Sequence, residues 1–276
     1  MSLKKESVSD FHVHEAAVTG NVHQLRHYLN SGKVYVDSRD RDGTTPLILA
    51  ASCGQCDCVE ELLVQGANPN ARRITGTTAL FFAAQHDFCQ IAHLLLDYGA
   101  NVNICSGEGA SPFLVACQFG HVQMMYLLYR HGCDINRGIR DRATPLFMAS
   151  QNDHVRALLF LLSMGAYVEN RRIDGATALW MASQMGNWRV VRHLLLYGAC
   201  VDSVRKDGAT PLYKAAQKGH ENVVEELLKF CPLLGLLPNG ETPLHAAAAN
   251  GHSGVVRLLV TAGADPKLRN QVRITR

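Results

Sequence analysis

The sequence predicts an all-α solenoid of about eight helix–turn–helix repeats, each 33 residues long and joined to the next by a β-hairpin loop. A short motif with a fixed spacing carries this prediction, together with a glycine that recurs after each apolar stretch. The motif is a hydroxyl residue, then proline or alanine, then a large apolar residue. It begins at Thr45, Thr78, Ser111, Thr144, Thr177 and Thr210, 33 residues apart each time, and again at Thr242. A fixed period of this size indicates stacked repeats that each contact their neighbours.

Residues 42–70 show how one repeat is built. The dipeptide Asp42-Gly43 suits a tight turn that needs a positive φ. Thr45 then provides an N-cap hydroxyl, and Pro46 stands at the first helical position, where its missing N–H is not needed. The first helix carries its apolar face at Leu47, Ala50 and Ala51. This spacing predicts a short helix that packs one face into the core.

The second half of the repeat predicts another helix between two closing glycines, Gly54 and Gly66. Its core positions are Cys58, Val59, Leu62 and Leu63. A turn, a TPLxxAA helix, a second half like GHxxVVxxLLxxGA and a 33-residue period together resemble the ankyrin repeat. The resemblance covers roughly residues 10–270. It implies a protein that binds other proteins and has no catalytic activity.

The period divides the chain into one elongated domain with two short tails. We place the domain at residues 10–270 and the tails at 1–9 and 271–276. The repeats are expected at about 10–41, 42–74, 75–107, 108–140, 141–173, 174–206, 207–238 and 239–270. The first and last repeats depart from the pattern, as capping repeats do. Since six residues follow the last repeat, we expect no appended domain.

Composition narrows the function classes. Hydrophobic residues make up 47% of the chain and charged residues 18%, which indicates a globular rather than a disordered chain. The net charge of +3 is too small to require a nucleic-acid partner. The N-terminus lacks the apolar stretch of a signal peptide, and no run of about 18 apolar residues predicts membrane insertion. Nine cysteines without a secretory signal favour a reducing compartment, so we expect a cytoplasmic protein that could also enter the nucleus. We also expect a monomer.

One face of the first helices is a candidate binding surface. The fourth, seventh and eighth positions after each motif threonine share a helix face that the core does not use, and the family resemblance makes it the concave side. We call this face the glutamine row, because the seventh position is Gln85, Gln118, Gln151, Gln184 and Gln217. Its flanking positions include Phe82, Val115, Phe119, Met148, Met181 and Met185, and they become basic at Lys214 and Lys218. Adaptable Met and anchoring aromatic residues favour recognition of a protein. The alternative is that these apolar side chains only pack against the next repeat.

The loops between repeats form a second candidate surface, the hairpin edge. Its cations are Arg39, Arg41, Arg72, Arg73, Arg140, Arg142, Arg171, Arg172, Arg205 and Lys206. Such an edge could bind an acidic protein, and the main alternative function is binding of nucleic acid or an anionic surface. Asp37, Asp40, Asp42, Asp141, Asp174 and Asp207 are interleaved, and no aromatic residues among them could stack bases. We therefore expect a partly self-neutralised edge.

Two further patterns predict packing and backbone strain. The third position after each threonine is large, as in Phe147, Trp180 and Tyr213, which favours packing between repeats. Glycine is replaced at turn positions by Asp87, Arg142, Asp153 and Cys231. Arg is a poor substitute where φ must be positive, which suggests the hypothesis that residues 137–153 are locally less stable. The alternative is sequence drift that a solenoid tolerates, because its stability is summed over many interfaces between repeats.

The sequence offers little chemistry beyond binding. Cys53, Cys56 and Cys58 lack a second pair at zinc-site spacing, and Cys58 stands at a core position. His121, His220 and His252 are expected to form hydrogen bonds at helix ends. We expect no cofactor, no metal and no small-molecule substrate. A ubiquitin-ligase substrate receptor would need an additional C-terminal helical box. The family resemblance also implies that Asn70, Asn103 and Asn136 can be substrates of an asparaginyl hydroxylase.

Overall fold

The computed structural model describes residues 8–269 except Lys33 and Asn239. The described residues therefore leave out most of the predicted tail 1–9, the tail 271–276 and Asn239. The described part contains sixteen α-helices and no β-strand. It forms two compact units, Met1–Arg140 and Asp141–Arg276, which we describe one at a time.

Unit 1 is a stack of four helix pairs. Its helices are α1 (Val8–Thr19), α2 (Val22–Asn30), α3 (Pro46–Ser52), α4 (Cys56–Val64), α5 (Ala79–Gln85), α6 (Cys89–Asp97), α7 (Pro112–Phe119) and α8 (Val122–Arg130). The first helices of successive repeats pack on one another in one layer, and the second helices pack in another. Each repeat therefore supplies one helix to each layer.

Unit 2 has the same organisation. Its helices are α9 (Pro145–Gln151), α10 (Val155–Ser163), α11 (Ala178–Met185), α12 (Trp188–Leu196), α13 (Pro211–Lys218), α14 (Glu221–Leu228), α15 (Pro243–Ala249) and α16 (Ser253–Thr261). The first helices pack in the order α9, α11, α13 and α15. The glutamines of this unit thus lie on neighbouring helices of one layer.

The motif threonines begin the first helices as predicted. The hydroxyl of Thr144 accepts a hydrogen bond from the N–H of Phe147 at 3.3 Å, and that of Ser111 accepts one from Leu114 at 3.1 Å. Pro145 occupies the first helical position behind Thr144. The cap satisfies a backbone donor that has no partner inside the helix. The predicted N-cap is therefore confirmed.

The core lies between the two helix layers and between successive repeats. In α12 it takes Val190, Val191, Leu194 and Leu195. The large residues three positions after the motif threonines join this core. Trp180 and Phe147 are each only 2% exposed. The indole Nε1 of Trp180 donates to the carbonyl of Ala209 in the next repeat. The prediction that this position packs between repeats is confirmed.

The predicted hairpins form tight turns without strand ladders. The N–H of Asp40 donates to the carbonyl of Thr44 at 3.0 Å, which closes the first turn. Successive turns share one backbone hydrogen bond, such as that from Ile74 N–H to the Asp42 carbonyl at 2.9 Å. In unit 2 the Lys206 N–H donates to the Asp174 carbonyl at 3.1 Å. One bond for each pair of turns is too few to form a strand in the described residues.

The residues that replace turn glycines adopt the conformation of glycine. Asp87 has a φ of 59°, Asp153 of 58° and Cys231 of 53°. Arg142 has the largest of these values, 69°. A left-handed conformation costs a side chain with a Cβ about 1–2 kcal/mol, and Asp tolerates it better than Arg. The strain that the sequence predicts at Arg142 is therefore present.

Candidate functional site

In unit 1 the glutamine row is bordered by aromatic rings. Gln85 and Gln118 are half-buried on α5 and α7. Phe119 exposes 46% of its surface and stacks on the ring of His121, with 5.9 Å between the ring centroids. Phe82 is half-buried, and the guanidinium of Arg73 lies 5.9 Å from the centre of its ring. This part of the row offers a partly exposed aromatic surface beside two amides.

In unit 2 the row has a more aliphatic border. Gln151, Gln184 and Gln217 are all half-buried, as is Met148, and Met185 exposes 49% of its surface. Met181 differs from the expectation, because it exposes only 8%. It packs between first helices instead of facing outward, and so does Val115 of unit 1, at 4%. The fourth position after the motif threonine is therefore a packing position at Val115 and Met181.

In unit 2, each glutamine of the row has its backbone carbonyl held by a side chain of the following repeat. The Asn187 amide donates to the carbonyl of Gln151 at 3.1 Å. Nε2 of His220 donates to the carbonyl of Gln184 at 3.0 Å, and Nε2 of His252 donates to that of Gln217 at 3.1 Å. The predicted helix-terminal hydrogen bonds of the histidines are confirmed. The sequence did not indicate that their acceptors would be the glutamines of the row.

Two side-chain amides of the row in unit 2 remain available. Those of Gln151 and Gln184 have no hydrogen-bond partner among the described residues. Oε1 of Gln217 accepts a hydrogen bond from Nζ of Lys214 at 2.8 Å, one turn earlier on α13. Half-buried amides without internal partners remain able to bind another chain.

The end of the row at α13 is positively charged. Nζ of Lys214 lies 5.7 Å from the ring centre of Trp180, and the guanidinium of Arg205 lies 4.9 Å from it. Burial lowers the pKa of Lys214, and the nearby charge of Lys218 lowers it further. Lys218 itself is exposed. Positive charge is therefore concentrated here beside an aromatic ring.

Four arginines of the hairpin edge in unit 1 bind within the unit. Nη1 of Arg39 donates to the carbonyl of Arg72 at 3.2 Å, and Nη2 of Arg72 donates to that of Cys105 at 2.8 Å. Arg73 forms an ion pair with Asp42 at 3.4 Å. Arg140 pairs with Glu108 at 3.3 Å. These four arginines thus hold neighbouring turns together.

The same holds for unit 2. Nη1 of Arg171 donates to the carbonyl of Val204 at 2.9 Å. Nε of Arg172 lies 3.3 Å from the carboxylate of Asp141, and its guanidinium is 5.3 Å from the ring centre of Phe147. Arg205 pairs with Asp174 and Asp207, each at 3.2 Å. The interleaved aspartates neutralise much of this edge, as the sequence indicates.

The predicted hydroxylation sites bridge neighbouring loops. Oδ1 of Asn70 accepts from the N–H of Asn101 at 2.7 Å, and its Nδ2 donates to the Gly99 carbonyl at 3.0 Å. Asn103 is half-buried and makes the same two kinds of bond one repeat later. Asn136 occupies the equivalent position and is also half-buried. The side chains of Asn70 and Asn103 therefore help to join the repeats.

The remaining candidates lie apart from these surfaces. Cys58 is buried at its predicted core position, and burial raises the pKa of its thiol to about 11. Among the described residues, no three His, Cys, Asp or Glu side chains come together to hold a metal ion. None of the helices described has the length and apolar character needed to cross a membrane. An open groove of about 680 Å³ lies between α14 and α16, lined in part by Glu225, Leu228 and Arg257.

Comparison with known proteins identifies the class. The family model described as ankyrin repeats, three copies, matches residues 13–105, 98–172 and 179–270. The chain therefore belongs to the ankyrin-repeat family, a class of repeats that generally mediates protein–protein interactions.

Individual relatives are similar over shorter segments. Over 73 residues the chain is 49% identical to human ankyrin repeat domain-containing protein 29 and 48% identical to the Danio rerio protein of that name. Both matches cover 26% of this chain and 24% of the relative. It is 33% identical over 70 residues to human DNA-binding protein RFXANK, covering 25% of this chain and 27% of that protein. The matched segment is thus about a quarter of each curated relative.

A solved structure is similar over most of the chain. The crystal structure of the human ASB11 ankyrin repeat domain superposes with a TM-score of 0.71 at 29% sequence identity. The similarity covers 79% of this chain and 96% of that domain. The helix–turn–helix repeat is therefore shared.

Proposed function

We propose that the chain is a non-catalytic scaffold or adaptor that binds a protein partner through the glutamine row, with the hairpin turns at its border. The observation that carries this proposal is the state of the glutamines in unit 2. Their backbone is fixed by the next repeat, whereas the amides of Gln151 and Gln184 have no partner among the described residues. Polar side chains on a fixed backbone beside an exposed side chain such as Met185 favour binding, because little backbone freedom is lost.

The hairpin edge supports the alternative function less well. Nucleic-acid binding would need cations that are free to contact phosphates. Seven of the ten cations of the edge already bind carbonyls or carboxylates within their own units: Arg39, Arg72, Arg73, Arg140, Arg171, Arg172 and Arg205. The name of RFXANK describes that protein as DNA-binding. For this chain we propose that the arginines mainly stabilise the turns and contribute at the border of a protein interface.

Affinity capture followed by mass spectrometry tests the proposal. The bait is the full chain, compared with the double variant Gln151→Arg, Gln184→Arg and with Asn222→Arg as the control. Asn222 is exposed on α14, a second helix, so the control adds the same kind of charge away from the row. We expect specific partners to be lost with the double variant and kept with the control. Equal capture by both variants would contradict the proposal.

Salt dependence separates the two functions. If the bound partner is nucleic acid or an anionic surface, the logarithm of the affinity falls steeply with the logarithm of the salt concentration. A protein partner held by amides and apolar side chains shows a much flatter response.

We further propose a cytoplasmic site of action, which the nine free thiols support.

The asparagine modification also remains a proposal. Incubation of the chain with an asparaginyl hydroxylase should add about 16 Da for each modified site, as carried over from the family resemblance. Because Asn70 and Asn103 bond across repeats, reaction requires their loops to open locally. An unchanged intact mass would count against modification at Asn70, Asn103 and Asn136.

A further inference from the structure

The glutamine row of unit 2 has a regular spacing. Gln151, Gln184 and Gln217 occupy the same position on α9, α11 and α13, which pack on one another in that order. Axes of packed helices lie about 8–10 Å apart. The three amides therefore form a row in which one amide follows another at about that distance.

The row is also preorganised. Asn187, His220 and His252 fix the three backbone carbonyls. The backbone positions from which the three glutamine side chains extend are therefore fixed. A ligand would therefore meet glutamine amides at regular intervals, and the last of them, that of Gln217, also accepts a hydrogen bond from Lys214.

Of the regular peptide conformations, polyproline II matches this interval best while keeping the same face toward the row. A polyproline II helix rises about 3.1 Å per residue with three residues per turn, so its third residue faces the same way after about 9 Å. Residues three apart on a β-strand point to opposite faces. An α-helix advances about 5.4 Å in one turn and about 10.8 Å in two, so one turn is too short and two turns are too long. The polyproline II backbone has no internal hydrogen bonds, so its amides and carbonyls can pair with glutamines.

Apolar and charged side chains of unit 2 indicate which side chains the ligand should carry. Met148 and Met185 lie beside the amides and leave apolar surface partly exposed. At the α13 end, Lys214 and Lys218 stand one turn apart, and only the former has a hydrogen-bond partner in its own helix. A carboxylate on the ligand would complement this positive end.

We propose that unit 2 binds a proline-rich segment of a protein partner in the polyproline II conformation, one turn for each repeat. Its apolar side chains recur at every third residue and contact Met148 and Met185. An acidic residue lies over α13, near Lys214 and Lys218. This inference rests on the proposed function, because it uses the same surface and specifies the partner.

A peptide library displayed on phage tests the inference directly. Random peptides of about twelve residues, enough for about four turns, are selected on the immobilised full chain. We expect the recovered peptides to be rich in proline, with apolar residues three apart and an acidic residue at one end. Recovery of peptides with apolar residues two apart, or at the helical spacing of three and four, would overturn the inference. A selection that enriches no sequence would also overturn it.

A matched pair of variants connects the selected peptide to the row. Gln184→Leu removes one amide, and we expect it to weaken binding of the strongest peptide about 3- to 10-fold, as for the loss of a hydrogen bond. The control Asn222→Leu should leave the affinity unchanged. Equal affinity for wild type and Gln184→Leu would contradict the inference. The two proposals can fail separately. If the peptide tests fail but the Gln151→Arg, Gln184→Arg variant still loses its protein partner, the proposed function stands and only the ligand class is wrong.

Discussion

The indole Nε1 of Trp180 lies 3.1 Å from the carbonyl oxygen of Ala209 and donates a hydrogen bond to it. The bond joins α11 to the turn that precedes α13. The guanidinium of Arg205 covers the same ring. One side chain thus combines core packing, a hydrogen bond between repeats and a cation–π contact.

Replacement of Trp180 by Phe should destabilise the protein by about 1–3 kcal/mol, because the Ala209 carbonyl keeps only the Arg205 N–H as a donor and the buried ring becomes smaller. The free energy of unfolding can be measured by urea titration with circular dichroism. Trp188→Phe is the control, since Trp188 is half-buried and its ring contacts Arg189. If the two substitutions cost the same, the bond across the repeat does not carry this stability.

Acidification should weaken the contact between α2 and α4. Arg26 donates to the carboxylate of Glu61 through Nε at 3.0 Å, and Gln65 donates at 3.0 Å. These hydrogen bonds lower the pKa of Glu61 below its ordinary value of 4.5. The stabilisation is therefore present above the pKa of the unfolded chain and is lost as the pH falls through the lower pKa of the folded state.

The variant Glu61→Gln tests this dependence on pH. We expect it to be less stable than wild type near neutral pH, with the difference shrinking below about pH 4. Glu60→Gln changes an exposed neighbour on the same helix and serves as the control. A stability difference for Glu61→Gln that stays constant from neutral to acidic pH would contradict the assignment.

Arg142→Gly should stabilise unit 2. The residue has a φ of 69°, and glycine adopts this conformation without the steric cost that arginine carries. The greater freedom of glycine in the unfolded chain offsets part of the gain, so we expect about 0.5–1 kcal/mol. Hydrogen exchange should become slower in residues 141–153. Arg140→Gly, which removes the pair with Glu108, should not stabilise the protein.

Much of this architecture could be predicted because every repeat uses the same caps, turns and core positions as its neighbours. The caps at Thr45 and Thr144, the turn glycines and the buried face of α12 follow from local rules that recur at a fixed spacing. The positive φ at Arg142 was predictable for the same reason, since glycine stands at the equivalent position in other repeats.

Contacts between repeats were harder to predict. The burial of Met181 depends on how closely α9, α11 and α13 pack, which the helix pattern does not specify. The bond from His220 to the carbonyl of Gln184 joins residues 36 positions apart. The sequence indicated a hydrogen-bonding histidine and a row of glutamines, but not that the former would fix the backbone of the latter.

The affinity of a captured protein partner tests the central claim most directly. Isothermal calorimetry would compare wild type, Gln184→Arg and the control Asn222→Arg. A bulky charge in the centre of an interface costs several kcal/mol, and each 1.4 kcal/mol corresponds to a factor of ten. We predict that Gln184→Arg weakens binding about 30-fold or more and that Asn222→Arg leaves the Kd unchanged. Equal Kd values for the three proteins would show that the partner does not bind at the glutamine row.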